Sequence, residues 1–590
     1  MLAVLAGNLL LAAPASAHTV LVASDPADGS RLAQSPAVVK LRFNEQVGLE
    51  LGYLRVVDSS GHRVDTGQPS HPDGAGDTVA VTLRSGLGDG SYLASYRVIS
   101  ADSHPVAGTV RYVVGAGPLD VGGGTSDSAP VDQAVSTALS TSHWLSFAGV
   151  AMAGGSWLVF TLWPAGRRRL GVRRLVWAGW GLAALGAVTE YLLQGPYAAG
   201  SGLSTVARTG LLDATLHDST GQLLSLRVLL LGVLGLELGS LLGRLDRPED
   251  DPERRPSWAP EAAAIVGAGI VVTFAASGHT RSASPRWLWI LLDGLHLSAM
   301  IVWLGGVLVL AVAAFGSRRA GDDLAGADRR QLSAGVPVFS RIAMACIATL
   351  AVTGTLQAWR DVGAWDALPS TRYGQLVLAK VALFCAILGL GYLARRAVLR
   401  STVPDPAPGP GRPGGTEAGA GSLAAGAVAT TTVLPAPPIA PSEPGLPERL
   451  RRTLLVEVVV GALVLAATAV LVSQPPGKVA LAAERSKPRQ ATVRVSAATQ
   501  ATVEVTPGVH GNVRFAVRLS GGAAPTAVTA TASLPAQQLG PIPVPLTASG
   551  PGSYTSAVVS LPVAGTWQLS LTVQTSEFDS TVAVARVRVY

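Results

Sequence analysis

The sequence predicts a multidomain membrane protein with an N-terminal β-sandwich, an eight-helix transmembrane bundle and a C-terminal β-sandwich. Hydrophobic residues make up 48% of the 590 residues and charged residues only 14%, a balance typical of a chain embedded in a bilayer. The centre of the chain contains apolar runs of about 20 residues, long enough to cross a ~30 Å hydrocarbon core. The two ends instead show short alternating or β-branched segments separated by turn residues.

Residues 1–17 are predicted to be a signal peptide. Residues 2–13 form an apolar stretch shorter than a membrane span, and Ala15 and Ala17 supply the small-x-small pattern read by signal peptidase. Cleavage after Ala17 makes His18 the first residue of the mature chain. Because residues 1–10 contain no Lys or Arg, an uncleaved N-terminal anchor is the alternative.

Residues 18–117 are predicted to fold as a small β-sandwich. Turn sequences such as Pro72-Asp73-Gly74 and Gly88-Asp89-Gly90 separate the predicted strands. These strands lie at 38–43, 53–57, 78–83, 91–98 and 108–114. Residues 118–138, rich in Gly, Ser and Asp, are predicted to be a linker.

The loops between the apolar runs predict the orientation of the transmembrane helices. The runs lie at 143–163, 174–194, 222–243, 260–277, 287–314, 338–359, 375–395 and 453–473. Arginines concentrate after runs one, three, five and seven, whereas the alternate loops hold few. The Arg-rich loops are therefore expected to be cytoplasmic. Both terminal domains are then extracytoplasmic, and the protein is expected to be a multi-pass protein of the cytoplasmic membrane.

The membrane part is predicted to have seven spans within 139–400, a disordered cytoplasmic loop at 401–447 and an eighth span within 448–475. In residues 476–590, apolar and polar side chains alternate again, and this pattern predicts a second extracytoplasmic sandwich. The net charge of +7 comes from loop arginines, so it does not indicate nucleic-acid binding. With no nucleotide-binding motif in the sequence, the lipid bilayer is an expected partner, and nucleic acids and nucleotides are not.

Three residues of the first domain form a predicted metal site. An N-terminal His18 offers its α-amine and imidazole Nδ1, which can close a chelate ring on one ion. Asp102 and His104 lie two apart on an extended segment and therefore point to the same side. Three nitrogens and one oxygen in a plane match Cu(II) better than zinc or calcium. A solvated turn pair is the alternative for Asp102 and His104.

Four segments of this domain resemble the CopC family of exported copper-binding sandwiches over roughly 18–115. They are His18-Thr19-Val20-Leu21, Asp25-Pro26-Ala27-Asp28-Gly29-Ser30, Leu41-Arg42-Phe43-Asn44-Glu45 and Asp102-Ser103-His104-Pro105. The resemblance implies Cu(II) held by His18, Asp102 and His104. The Met-rich Cu(I) site of some members is not expected, because the domain contains no Met.

An N-terminal histidine brace also occurs in copper oxygenases that cleave polysaccharides. In those enzymes the copper keeps a position open for oxygen. Here Asp102 would fill the fourth equatorial position, so we expect no catalytic residues and no enzymatic activity.

Histidines, sulfur side chains and one carboxylate in or beside the spans predict a copper path through the membrane. The candidates are His143, His279, Asp293, His296, Met300, Cys346 and Cys385. Asp293 and His296 lie on one helix face, and Asp293 is expected to fix the tautomer of His296. Outer imidazoles and deeper sulfurs suit copper that arrives as Cu(II) and moves as Cu(I). Ordinary apolar packing is the alternative for the sulfurs.

Several motifs of the membrane part resemble the CopD family of copper-resistance membrane proteins over about 140–400. They are Asp293-Gly294-Leu295-His296, Trp303-Leu304-Gly305-Gly306, His143-Trp144, Gly154-Gly155 and Ser277-Gly278-His279. The segments 552–554 and 561–567 resemble a YtkA-like sandwich. We assign that domain no metal, since His510 is its only histidine.

The expected function is copper binding at the outer face and copper transfer across the cytoplasmic membrane. A copper chaperone and a reductant are candidate partners. Two alternatives stay open: a membrane electron carrier whose histidines ligate haem, and an extracytoplasmic copper store without transport.

Overall fold

The computed structural model describes residues 19–100, 105–116, 132–243, 259–278, 285–316, 326–401, 448–522, 524–576 and 579–590. The described chain forms two units. One contains residues 19–357 and 378–473, and the other contains residues 358–377 and 474–590.

The first unit begins with a β-sandwich. Its strands are β1 (Leu21–Asp25), β2 (Ser30–Leu32), β3 (Val38–Phe43), β4 (Val47–Asp58), β5 (Asp65–Ser70), β6 (Thr78–Leu83), β7 (Gly90–Ser100) and β8 (Pro105–Val114). They pair in two sheets, in the orders β1-β3-β6-β5 and β2-β8-β7-β4. The predicted sandwich is confirmed, and β4 starts earlier than the predicted strand at 53–57.

Alternation along the strands builds the core of this sandwich. Val39, Leu41 and Phe43 of β3 are buried, whereas Lys40 and Arg42 between them are exposed. Such a period of two places one face of each sheet against the other and leaves the polar face in water.

Helices form the rest of the first unit and continue into the second. They are α1 (Gln133–Gly154), α2 (Ser156–Thr161), α3 (Leu170–Ala199), α4 (Thr209–His217), α5 (Ser219–Gly243), α6 (Ala259–Ala275), α7 (Arg286–Gly316), α8 (Gly326–Val362), α9 (Ala367–Ser370), α10 (Arg372–Ser401) and α11 (Glu448–Val472).

Seven helical segments among the described residues are long and apolar enough to cross a membrane, instead of the eight predicted. The fourth predicted span, 260–277, corresponds to a shorter apolar helical segment, Glu261–Ala275 within α6. The first span runs from Gln133 through α1 and α2, and so begins within the predicted linker. Asp132 caps it, because its Oδ1 accepts hydrogen bonds from the amides of Ala134 (2.8 Å) and Val135 (3.2 Å).

Glycines let α1 and α7 cross at close range. A Cβ at Gly155 would lie 2.5 Å from the carbonyl oxygen of Gly305, and one at Gly305 would lie 2.6 Å from that of Ala151. Beside the crossing, Trp157 Nε1 donates to the carbonyl of Val302 at 3.0 Å. Small residues at such crossings bring two helix backbones into contact within a bilayer.

The N-terminal sandwich contacts the C-terminal end of α3. Arg97 Nε donates to the carbonyl oxygen of Ala198 at 2.6 Å. The other end of α3, at Leu170, directly follows the arginines of residues 167–169. A 30-residue helix is about 45 Å long, so the sandwich and these arginines lie at opposite ends of a membrane-length helix.

The second unit ends in a strand-rich domain, as predicted for 476–590. Its elements are α12 (Gly477–Ser486), β9 (Arg489–Arg494), β10 (Gln500–Thr506), β11 (Gly511–Ser520), β12 (Ala527–Leu534), β13 (Leu539–Val544), β14 (Leu546–Gly550), β15 (Ser553–Ser556), β16 (Val559–Leu561), β17 (Gly565–Gln574) and β18 (Ser580–Val589). The sheets run β14-β15-β11-β10-β9, with β16 on β11, and β13-β12-β17-β18. Phe515, Trp567 and Leu569 are buried in the core between them.

Candidate functional site

The predicted Cu(II) ligands His18, Asp102 and His104 lie outside the described residues, as does His279 of the predicted membrane path. The described residues on either side of these positions show how the chain approaches and leaves them.

The residue after His18 is fixed to the turn between β3 and β4. Thr19 is buried, with only 4% of its surface exposed, and its Oγ1 donates to Glu45 Oε1 at 2.7 Å. The amide of Val20 donates to Asn44 Oδ1 at 2.7 Å, and the Asn44 amide donates back to the Val20 carbonyl at 3.2 Å. Thr19 and Val20 therefore lie at one end of the sandwich, with the direction of the chain set by three hydrogen bonds.

The strands that flank residues 101–104 reach the same end. In the sheet register, Val47 of β4 lies opposite Ser100 of β7, and Ile99 lies opposite Pro105 of β8. Val47 is two residues from Glu45, which holds Thr19. The flanks of both predicted ligand segments thus meet at one end of the sandwich.

In the membrane bundle, His296 and Asp293 on α7 face two polar residues of α8. His296 Nδ1 lies 2.8 Å from Thr353 Oγ1, and Gln357 Nε2 donates to Asp293 Oδ1 at 2.8 Å. Lys380 of α10 lies within electrostatic range of both His296 and Asp293. Three helices thus contribute polar groups to one position in the bundle.

The hydrogen bonds of Thr353 define the tautomer of His296. The Thr353 hydroxyl donates its one proton to the carbonyl of Thr349 at 2.6 Å. Its oxygen can then only accept from His296, so Nδ1 carries the imidazole proton and Nε2 carries the lone pair. A neutral imidazole with a lone pair on Nε2 is the form that ligates a metal. The prediction that Asp293 fixes this tautomer is corrected, because Thr353 occupies Nδ1 and Asp293 accepts from Gln357.

His143 belongs to a different polar cluster. Its Nε2 lies 3.2 Å from Glu190 Oε1, and its Nδ1 lies 3.3 Å from Ser473 Oγ. Arg227 Nη1 lies 3.1 Å from the other oxygen of Glu190, and Arg227 Nε donates to Thr273 Oγ1 at 3.1 Å. Both imidazole nitrogens of His143 therefore face polar partners.

The sulfur side chains of the predicted path differ in how deeply they are buried. Met300 packs against the buried Ala151, Leu304 and Leu465. Cys346 is half-buried and Cys385 is exposed. Within the described part of the chain, no three or more His, Cys, Asp or Glu residues are grouped so as to hold a metal ion.

Sequence reasoning missed the partners of the membrane histidines. Thr353 and Gln357 lie four apart in an apolar run, so they share one face of α8, and this spacing was the available signal. Glu190 and Arg227 are visible as intramembrane charges, but no local pattern reveals that they meet His143.

Two family models match the chain. The CopC domain matches residues 21–115, and Copper resistance protein D matches residues 333–436. The first match contains strands β1 to β8 and the flanks of residues 101–104, and it begins three residues after His18. The second begins later than the resemblance expected at about 140–400, and it extends beyond residue 400.

The chain is also similar to named proteins and to a solved structure. It is 27% identical over 382 residues to Copper transport protein CutJ of Bacillus subtilis (strain 168), covering 64% of this chain and 67% of that protein. It is 32% identical over 114 residues to Copper resistance protein C of Pseudomonas syringae pv. tomato, covering 18% of this chain and 90% of that protein. The crystal structure of CopC from Methylosinus trichosporium OB3b aligns with 30% identity and a TM-score of 0.16, covering 16% of this chain and 93% of that one.

Proposed function

The chain belongs to the CopC family through its N-terminal domain and also carries a CopD domain, and on that premise we propose that it binds copper at the outer face of the cytoplasmic membrane and passes it inward. The relative that covers 64% of this chain is named a copper transport protein, and a relative covered to 90% of its own length is named a copper resistance protein.

The first step is capture of Cu(II) by His18, Asp102 and His104. The meeting of their flanking residues at one end of the sandwich supports this ligand set, since Thr19, Ser100 and Pro105 all lie there. The α-amine and Nδ1 of His18, one oxygen of Asp102 and one nitrogen of His104 give the N/O donor set that suits Cu(II). The site binds and releases the ion and performs no enzymatic step.

The second step is passage through the bundle by way of His296. The observation that carries this step is the hydrogen bond from His296 Nδ1 to Thr353, which leaves the lone pair on Nε2. A fixed tautomer prepares the imidazole to accept a metal ion without rearrangement. Asp293, three residues away, supplies a negative charge near the cation, and Lys380 limits how strongly the cation is retained.

The two ends of α3 support an outward-facing copper-binding domain. Arginines cluster just before Leu170, and the sandwich contacts Ala198 about 45 Å away. Since arginine-rich loops stay in the cytoplasm, the copper-binding end of the chain faces outward. Movement as Cu(I) toward Met300, Cys346 and Cys385 would need an electron donor, which makes a reductant a proposed partner.

The test is cellular copper content with the intact chain, the His296→Ala variant and the His217→Ala control. His217 is exposed, and its Nδ1 contacts the carbonyl of Asp213 within its own helix. We expect copper accumulation with the intact chain and the control, and none with His296→Ala at equal membrane abundance. Equal accumulation with all three would contradict the role of His296. A purified protein with a Soret band would instead favour the haem alternative.

A further inference from the structure

The contact between the sandwich and the membrane bundle is centred on a buried arginine. Arg97 is only 3% exposed, although it lies on a strand of an extracytoplasmic domain. Its Nε donates to the carbonyl of Ala198 at 2.6 Å, and its Nη2 donates to the carbonyl of Tyr197 at 3.4 Å. These carbonyls end α3, where the helix dipole is negative and favours a cation. Burial lowers the pKa of Arg97, but the guanidinium stays charged at neutral pH.

Two glycines lie close to Arg97. Gly200 ends α3 with φ +65°, and a Cβ there would lie 2.5 Å from Arg97 Nη1. A Cβ on Gly52 of β4 would lie 2.4 Å from the Arg97 carbonyl oxygen. A side chain at position 200 would therefore collide with the guanidinium, and the lack of one at position 52 lets β4 approach the backbone of Arg97 closely.

An apolar cluster surrounds the polar contact. Leu51 of β4, Ile99 of β7 and Ala198 of α3 are 6%, 4% and 0% exposed, and Leu211 and Ala214 of α4 pack against them. Leu51 lies where the register of β4 against β7 shifts, between Gly48 and Tyr53. A bulge of this kind re-aims a side chain, here toward the helices.

This docking surface, formed by Leu51, Arg97, Ile99, Ala198 and Leu211, lies at the functional end of the sandwich. Ile99 pairs with Pro105, and these two residues flank the segment that contains the predicted ligands Asp102 and His104. The proposal that follows rests on the proposed copper transfer.

We propose that the sandwich stays docked on α3 and α4 during transfer, so that copper crosses a fixed interface instead of being carried by a swinging domain. The buried Arg97 gives the contact its specificity, because truncating it removes the side-chain donor from the carbonyls of Ala198 and Tyr197. The apolar cluster supplies most of the favourable free energy of docking. A fixed interface holds the donor site beside the acceptor at high effective concentration, which a free tether lowers.

The first test compares Arg97→Ala with Arg111→Ala in the full-length protein. Arg111 lies on the neighbouring strand β8 and is exposed, so it serves as the matched control. We expect both variants to bind one Cu(II) with unchanged affinity, while copper uptake falls about tenfold with Arg97→Ala alone. Uptake equal to the intact chain in Arg97→Ala would overturn the proposal. Lost Cu(II) binding would also overturn it, since Arg97 would then support the site itself.

The second test locks the contact covalently. Leu51→Cys and Ala198→Cys are combined in the otherwise native chain, because Cys346 and Cys385 belong to the proposed copper path, and the oxidised protein is compared with the Leu51→Cys and Ala198→Cys single variants. A fixed interface predicts efficient disulfide formation and uptake equal to that of the unlocked versions. A swinging carrier predicts that the lock stops uptake, and failure of the disulfide to form would contradict the docked state.

These outcomes separate this inference from the proposed function. If the intact chain takes up copper and His296→Ala does not, the transfer function stands whatever the docking variants do.

Discussion

Glu190 and Arg227 form an ion pair inside the membrane bundle, with Oε2 and Nη1 3.1 Å apart. Both side chains are almost fully buried, and the guanidinium also lies over the ring of Phe274 at 3.6 Å from its centroid. His143 approaches the second oxygen of Glu190 at 3.2 Å. The cluster therefore joins α1, α3, α5 and α6 through charged and aromatic contacts in an apolar setting.

Removing one member of this pair should destabilise the fold more than removing both. Glu190→Gln leaves the Arg227 guanidinium buried without its counter-charge, at a cost of about 3–5 kcal/mol. Combining Glu190→Leu with Arg227→Met removes both charges and should restore most of the stability. Thermal unfolding of detergent-solubilised protein measures the difference, with Thr189→Ala on the same helix as the control. A double variant no more stable than Glu190→Gln would show that the pair does not act as a unit.

Strands with a regular alternation of apolar and polar residues can be predicted from the sequence. Strand and helix boundaries that depend on contacts with distant parts of the chain cannot. Residues 38–43 alternate between buried and exposed positions, so β3 is read correctly. In β4 the buried side chains change from odd positions, Val47 and Leu51, to even positions further along the strand, because the register against β7 shifts and Leu51 contacts α3 and α4. The start of α1 falls in a polar segment that resembles a linker, although Asp132 is a helix-capping residue.

The candidate sites divide in the same way. Spacing along one helix relates Asp293 to His296, but the helix pairing that brings Thr353 to His296 spans 57 residues of chain. The same holds for His143 and Ser473, which are 330 residues apart. Residue type and local spacing identify chemical groups, whereas their partners depend on how helices pack.

The sandwich should lose stability in acid through Asp65. Burial disfavours the ionised carboxylate, but hydrogen bonds from Arg63 and the Val56 amide outweigh it, so the pKa of Asp65 lies below its ordinary value of 3.8. A carboxyl with a lowered native pKa contributes stability above the unfolded pKa and loses it as pH falls through the native pKa. Asp65→Asn should therefore lower the unfolding temperature of the sandwich at pH 7 and have little effect well below pH 3.8.

Thermal unfolding of the two proteins is compared in the full-length chain at both pH values. A spectroscopic probe in the sandwich follows the unfolding of that domain. Asp73→Asn serves as the control, since Asp73 lies in an exposed turn. An Asp65→Asn effect that is equally large at both pH values would show that the side chain stabilises the fold through shape and not through charge.

Copper capture should depend on a free N-terminus at His18. One extra residue before His18 converts the α-amine into an amide and removes one of the four proposed donors. Removing a residue that only hydrogen-bonds a metal ligand lowers metal affinity roughly 10–100-fold, and losing a ligand should lower the Cu(II) affinity by more. Nitrogen coupling in the EPR spectrum should also decrease. An extra residue after Tyr590 is the control. Unchanged affinity in the extended protein would rule out the amine as a ligand.

Transfer should also depend on Thr353, which contacts the proposed metal ligand without being one. Thr353→Val keeps the shape of the side chain but removes the oxygen that accepts from His296 Nδ1. The imidazole proton can then move to Nε2 and block the lone pair, so copper uptake should fall although the protein remains folded. Thr353→Ser keeps the hydroxyl and should restore uptake. Thr349→Val is a further control, since its hydroxyl bonds only the carbonyl of Ala345 in the described contacts. The tautomer argument fails if Thr353→Val and Thr353→Ser take up copper at the same rate.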